Sequence, residues 1–151
     1  MKITKVSQQG LNLIKRYEGF KSKPYLCPSS VPTIGFGSTY YEDGHKVKLT
    51  DPPITEEEAT TLLMALLVSY EKAVDSFCRD DINQHQFDAL VSFAYNCGNV
   101  ALKNSTLLRL VNGNPFNPKI ADEFKKWNRG GGRVIAGLAK RREEEAKLYF
   151  S

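Results

Sequence analysis

The sequence changes character at Pro52-Pro53, and that change limits the folds open to the chain. Between residues 20 and 54, Pro24, Pro28, Pro32, Pro52 and Pro53 are scattered among Gly and Ser, and aromatic and β-branched residues occur only in short runs. Proline fixes φ and removes a backbone donor, so this stretch favours a small sheet with loops over long helices. Asp43-Gly44, between Tyr40-Tyr41 and Lys46-Val47-Lys48, reads as a hairpin turn. Beyond Pro53 a helical period takes over. Thr55 and Glu58 stand at capping-box spacing, and Leu62, Leu63, Leu66, Leu67, Tyr70 and Val74 form a broad apolar stripe. A further helix is predicted from about Asn83, carrying Phe87, Leu90, Val91 and Ala94 and stopping before Gly98. Another follows Ser105 and ends near Gly113. A third opens at Asn117-Pro118, carries Ile120, Phe124 and Trp127, and is broken by Gly130-Gly131-Gly132. The last covers about 138–150.

Ahead of the proline-rich stretch, Ser7 caps a first helix over about 7–17, with Leu11, Ile14 and Tyr17 on one face. Gly19 suits a left-handed C-terminal cap, so Glu18 falls where the chain leaves the helix. The reading is an α+β domain of 151 residues. A small N-terminal β-lobe covers approximately 18–54. A larger helical lobe covers 55–151 and includes the N-terminal helix, and a cleft between the lobes suits an extended ligand.

Composition narrows the partners. At 41% hydrophobic and 25% charged residues, a chain of this length buries a core without disulfides or metals. Cys27, Cys78 and Cys97 are odd in number and widely spaced, which argues against a disulfide framework and for synthesis in a reducing compartment. His45 and His85 lack metal-ligand spacing, so neither a metal nor a cofactor is expected. The net charge of +4 is compatible with an anionic partner, but on charge alone mere solubility is the better reading. The longest apolar stretch, 62–68, is too short to cross a bilayer, and the N-terminus has no export signal.

Two features carry chemistry. In Thr33-Ile34-Gly35-Phe36-Gly37, strand alternation puts Ile34 and Phe36 on one face. Thr33, Gly35 and Gly37 share the other, which has a hydroxyl and almost no bulk. Such glycines mark close approach of a ligand or backbone, or else a bulge or tight bend. Glu18, at the negative end of a helix dipole, sits where a carboxylate is disfavoured, which suits a proton donor, although a Glu where a helix runs into a Gly is most often a solvated helix end.

Tyr17-Glu18-Gly19-Phe20, then Cys27, then Thr33 to Gly37, resembles the catalytic motif of the phage-type lysozymes (endolysins), glycoside hydrolase family 24. Eight residues separate Glu18 from Cys27 and five separate Cys27 from Thr33, as in that motif. The likeness continues through the segment 86–98, Ser105-Thr106-Leu107, Trp127-Asn128, Gly137-Leu138 and Arg141-Arg142-Glu143, in order along nearly the whole chain. The resemblance implies a single lysozyme-like catalytic domain that cleaves the β-1,4 bond between N-acetylmuramic acid and N-acetylglucosamine in bacterial peptidoglycan. It implies that Glu18 protonates the leaving oxygen, that the residue at 27 helps activate water on the opposite face, and that Thr33 positions that water. Such inverting sites hold the two groups roughly 6.5–9.5 Å apart.

Cys27 stands where many members of the family have Asp. A thiol of ordinary pKa, about 8.5, is mostly protonated at neutral pH. Base, nucleophile, spacer of the water site and small buried hydrophobe all remain open for it. The resemblance also implies glycan contacts at Gly35, Tyr95, Asn96, Ser105 and Thr106, although each of the last four equally suits a helix end or a packing position. It further implies an ion-pair partner of the acid at Arg141 or Arg142. The run Lys140 to Glu145 reads as a mostly solvated helix face, with Arg141 and Glu145 spaced for an i,i+4 pair. Cys78 and Cys97 read as inert core thiols.

The partner expected is therefore the peptidoglycan glycan strand, with no nucleic acid and no membrane anchor, and with the chain a monomer. The family implies storage in the host cytoplasm, release toward the periplasm and wall at lysis, and dependence on a separate pore-forming protein. Two other classes compete. A catalytically silent wall-binding module is favoured by the missing carboxylate at 27 and opposed by Glu18 and Thr33. A membrane-disrupting protein acting through the last helix is opposed by Glu143, Glu144 and Glu145.

Overall fold

The structure, a computed structural model, describes residues 2–151. Along the chain run α1 (Gln8–Glu18), β1 (Lys21–Leu26), β2 (Pro32–Gly35), α2 (Glu56–Phe77), α3 (Gln84–Cys97), α4 (Asn99–Lys103), α5 (Thr106–Gly113), α6 (Lys119–Lys125), β3 (Arg129–Gly130), β4 (Arg133–Val134) and α7 (Ala136–Tyr149). The class is α+β, as expected. Two compact units emerge, Ile14–Ser69 and a unit joining the residues up to Leu13 with Tyr70–Ser151. The division expected near residue 55 thus falls inside α2. Its first turns belong with the sheet because Leu62 is buried beside Ile34 and Val47, with Tyr41, Ile54 and Leu66 packed around them.

In the Ile14–Ser69 unit, β1 and β2 pair antiparallel, with Tyr25 opposite Thr33 and Leu26 opposite Pro32. The register slips between Lys21 and Tyr25. Pro24 lies in that interval and has no N–H to give, which a two-stranded sheet tolerates. Asp43-Gly44 makes the expected turn: Gly44 N donates to Tyr41 O at 3.0 Å, and Tyr40 bridges Lys46. Thr55 and Glu58 cap each other reciprocally at 3.0 and 3.1 Å, opening α2.

The segment Thr33 to Gly37 departs from the expected alternating strand. Strand β2 stops at Gly35, and Gly35 and Gly37 take φ values of +66° and +80°. The chain doubles back there, so Ile34 and Ser38 exchange backbone hydrogen bonds at 2.9 and 3.0 Å. Thr33, Ile34, Gly35 and Phe36 all become buried, and Phe36 meets Phe20 with ring centres 5.7 Å apart. The glycines form the tight bend that was one of their two readings.

The second unit is built on capped helices. Asn83 and Gln86 form a capping box on α3, and Ser105 caps α5 by accepting from Leu108 N at 3.0 Å. The wholly buried Asp88 accepts from Ser7 N at 2.9 Å and from the Ser7 hydroxyl, holding the start of α1 against α3. Gly10 permits that approach, since a Cβ there would stand 2.7 Å from Asp88 Cβ. Phe93 lies at the centre of an aromatic cluster with Phe124 and Trp127, at 6.0 and 5.3 Å. Helix α6 ends at Lys125, short of Trp127, and the three glycines that break the pattern form the β3–β4 turn.

Helix α7 corrects the reading of its charged run. Arg141, Arg142 and Glu145 are buried, at 3%, 0% and 0% exposure, and do not form a solvated face. Arg142 and Glu145 share a helix face with Ala146 and Tyr149, and that face packs inward. The expected Arg141–Glu145 pair is present at 3.3 Å.

Candidate active site

Glu18 is the last residue of α1 and is half-buried. Gly19 follows at φ +71°, its N–H donating to Lys15 O at 2.9 Å, and turns the chain out of the helix. The space around the carboxylate is kept by Gly37: a Cβ there would collide with Glu18 Oε1 and lie 3.3 Å from Cδ. The close approach signalled by Gly37 is thus made by the acid itself.

Cys27 comes directly after β1, where Pro28 begins a turn. Ser30 N donates to Cys27 O at 2.8 Å, and Cys27 N donates to Val31 O at 3.1 Å. The turn folds Ser29 back onto the thiol, with Oγ 3.6 Å from Sγ. Hydrogen bonding by the Ser29 hydroxyl, and next by the backbone at Val31, favours the thiolate and pushes the Cys27 pKa down to about 7, against a weaker opposing effect of burial. Thr33, buried at 2% exposure, also interacts with the thiol, and its Oγ1 donates to Val31 O at 2.8 Å. The lone pairs of Oγ1 are acceptors. Tyr25, opposite Thr33 in the ladder, connects the groups: its phenol pKa is raised first by burial, then by the charges of Glu18 and Cys27.

Glu18, Cys27 and Thr33 therefore lie in one compact unit, and the two ionisable groups are close enough to act on one phenol. Gly35, expected at the glycan, is buried, and its missing Cβ would stand 3.1 Å from Ala59 Cβ; the approach it allows is that of α2. Sequence reasoning missed Ser29 and Tyr25. The signal for Ser29 was available, since Pro followed by Ser directly after Cys27 is turn chemistry that brings a hydroxyl back onto residue 27.

The other expected residues lie in the second unit. Tyr95 and Asn96 are near the end of α3. Tyr95 is half-buried with its ring edge-on to Tyr70 at 5.2 Å, and Asn96 is exposed. Ser105 is buried, and its hydroxyl is used twice, donating to Leu102 O at 2.7 Å and accepting from Leu108 N. Of its two readings, helix end is the one seen. Thr106 is exposed at the start of α5. Within their own unit, Arg141 and Arg142 both meet Glu145. Cys78 is buried, and its thiol is pushed up to about 12, chiefly by that burial. Cys97 is half-buried and accepts from Arg142 Nη1, so it is more than an inert core thiol.

The model of the phage lysozyme family matches residues 15–145, from the last turn of the first helix into the last helix. The chain belongs to the phage lysozyme family. It is 46% identical to the endolysin of Bacillus phage B103 across 97% of its own length and 54% of that relative's, so it spans about half of that endolysin. The structure of an endolysin from the Escherichia coli O157:H7 phage FAHEc1 superposes with a TM-score of 0.89 at 33% identity, covering 100% of this chain and 97% of that one. The muramidase domain of SpmX from Asticaccaulis excentricus superposes at 0.84 with 31% identity, covering 99% of both chains. The matched stretch includes Glu18, Cys27 and Thr33, whose carboxylate, thiol and hydroxyl lie in one unit.

Proposed function

We propose that this chain is an endolysin: a muramidase that hydrolyses the β-1,4 bond between N-acetylmuramic acid and N-acetylglucosamine in peptidoglycan. The observation that carries the reading is the gathering of Glu18, Cys27 and Thr33 in one unit, with a thiol that ionises near pH 7 where a carboxylate is usual. The reaction is the addition of water across a glycosidic bond. Glu18 gives a proton to the leaving oxygen. On the other face of the sugar the Cys27 thiolate takes a proton from the attacking water, whose oxygen bonds to the anomeric carbon as the glycosidic bond breaks. Thr33 Oγ1 accepts the second hydrogen bond from that water and aims it. Proton donation by one group and removal by another across the sugar is the inverting scheme.

The partner in this reading is the glycan strand, engaged as well by Tyr95, Asn96 and Thr106, and the chain acts as a monomer. Among the described residues no helix is long and apolar enough to cross a membrane. The proposed route to the wall, which the family resemblance implies, is from the host cytoplasm through a lesion made by a separate pore-forming protein. Incubation of purified murein with the chain tests the reaction. Soluble fragments should appear whose new reducing ends, after borohydride reduction and acid hydrolysis, are recovered as muramitol. Recovery of glucosaminitol, or no soluble fragments, contradicts the assignment.

A further inference from the structure

The positive charge of the chain is concentrated in one stretch. Seven of the 21 Lys and Arg residues, and none of the 17 Asp and Glu residues, fall between Phe124 and Arg142. The remainder, with 14 basic and 17 acidic residues, is net −3, so this stretch alone is the source of the overall +4. Three of the seven are paired: Lys126 with Glu123 at 2.5 Å, and the buried Arg141 and Arg142 with Glu145. Lys125, Arg129, Arg133 and Lys140 are exposed and make no ion pair among the described residues.

The β3–β4 ribbon lies at the middle of this stretch. Arg129 pairs with Val134 and Gly130 with Arg133, and Ile135 N donates to Asn128 O at 2.9 Å. Side chains alternate along such a ladder, so Arg129 and Val134 share one face of the ribbon, and Arg133 and Ile135 share the other. Val134 and Ile135 are 57% and 43% exposed, which leaves each guanidinium with an apolar neighbour in water. Trp127, just ahead of the ribbon, is 37% exposed while its ring is held edge-on to Phe93 at 5.3 Å. Gly131 and Gly132, both at positive φ, make a tip without bulk or charge. The first carboxylate beyond the ribbon, Glu143, stands seven residues past the start of α7, about 10 Å along its axis.

We propose that the β3–β4 ribbon docks on an anionic lipid surface. Arg129 and Arg133 meet lipid phosphates, Trp127 lies at headgroup level, and Val134 and Ile135 enter the boundary of the acyl chains. A soluble polyanion would satisfy the cations but leave three apolar side chains in water, whereas a bilayer surface takes both. The ribbon adsorbs without crossing the bilayer, and the docking does not depend on the muramidase reading.

Trp127 is the sole tryptophan of the chain, so its fluorescence reports on this region alone. Vesicles of equimolar phosphatidylcholine and phosphatidylglycerol should sediment the native chain and shift its emission to the blue. Vesicles of phosphatidylcholine alone should do neither. Arg129→Gln with Arg133→Gln should lower the partition coefficient roughly 30-fold, about fivefold for each charge. Arg129→Lys with Arg133→Lys, which keeps both charges, should retain most of the binding. Val134→Ser with Ile135→Ser should lower partitioning about tenfold or more. All these side chains are exposed, so circular dichroism should not change. Equal partitioning into neutral and anionic vesicles, or undiminished binding by the Gln pair, overturns the proposal. So does binding to soluble polyphosphate as tight as to anionic vesicles with the emission unmoved, which would assign the ribbon to a soluble polyanion.

Discussion

The turn after β1 sets the protonation of the thiol at residue 27, the group proposed as the base. Cys27 loses its proton near pH 7 because Ser29 and the backbone at Val31 hydrogen-bond the thiolate. The sign follows directly: above pH 7 the group is an anionic base, and below it a neutral thiol. Alkylation by iodoacetamide should therefore be half-maximal at a pH of about 7, and it should fall on Cys27, since burial pushes Cys78 up to about 12 and also raises Cys97. kcat/KM should decline as pH falls through the same value. Cys27→Asp should keep substantial activity, while Cys27→Ala should lose roughly 10²-fold or more, the usual worth of a catalytic base. An Ala variant faster than the Asp variant would mean that the side chain only packs. The spacing of Glu18, Cys27 and Thr33 is a linear property of the sequence, and the structure gathers the three in one unit. Tyr25 was not legible, because its place beside Thr33 depends on the strand register, which slips around Pro24.

Among the elements, the caps were the most legible features. Thr55 with Glu58, and Asn83 and Ser105 at their helix starts, all cap as their residue types require. Ser105 has its hydroxyl occupied by Leu102 O and Leu108 N, so Ser105→Ala should cost about 1 kcal/mol in denaturant unfolding. KM for soluble strands should not move; a KM increase without a loss of stability would restore Ser105 to the glycan. The β-lobe was misread where glycine carries two meanings. An alternating pattern predicts a strand through Gly37, but positive φ at Gly35 and Gly37 folds it into a bend that buries both faces. Helix α7 was misread from charge. Its buried arginines were detectable only from their spacing to Ala146 and Tyr149, and the groups that satisfy them, Ser92, Asn96 and Cys97, lie about fifty residues away on α3. Elements as short as α4 or β3–β4 leave too few residues for any period to show.

For the molecule as a whole, the change of pattern at Pro52-Pro53 gave the class and the order of elements, but not the division into units. That division falls inside α2 because Leu62 packs with the sheet side, a tertiary fact that helical periodicity does not contain. Charge said less: a net charge of +4 is compatible with a wall-binding module and with an enzyme alike. What separates these is whether the acid at the end of α1 gives up a proton to a glycosidic oxygen. Glu18→Gln tests this directly, because the amide fits the space that Gly37 leaves and retains the polarity of the site. Reducing ends released from murein should fall roughly 10²–10⁴-fold or more, with the circular dichroism spectrum and sedimentation with murein unchanged. Retention of most of the native rate by Glu18→Gln would contradict the account.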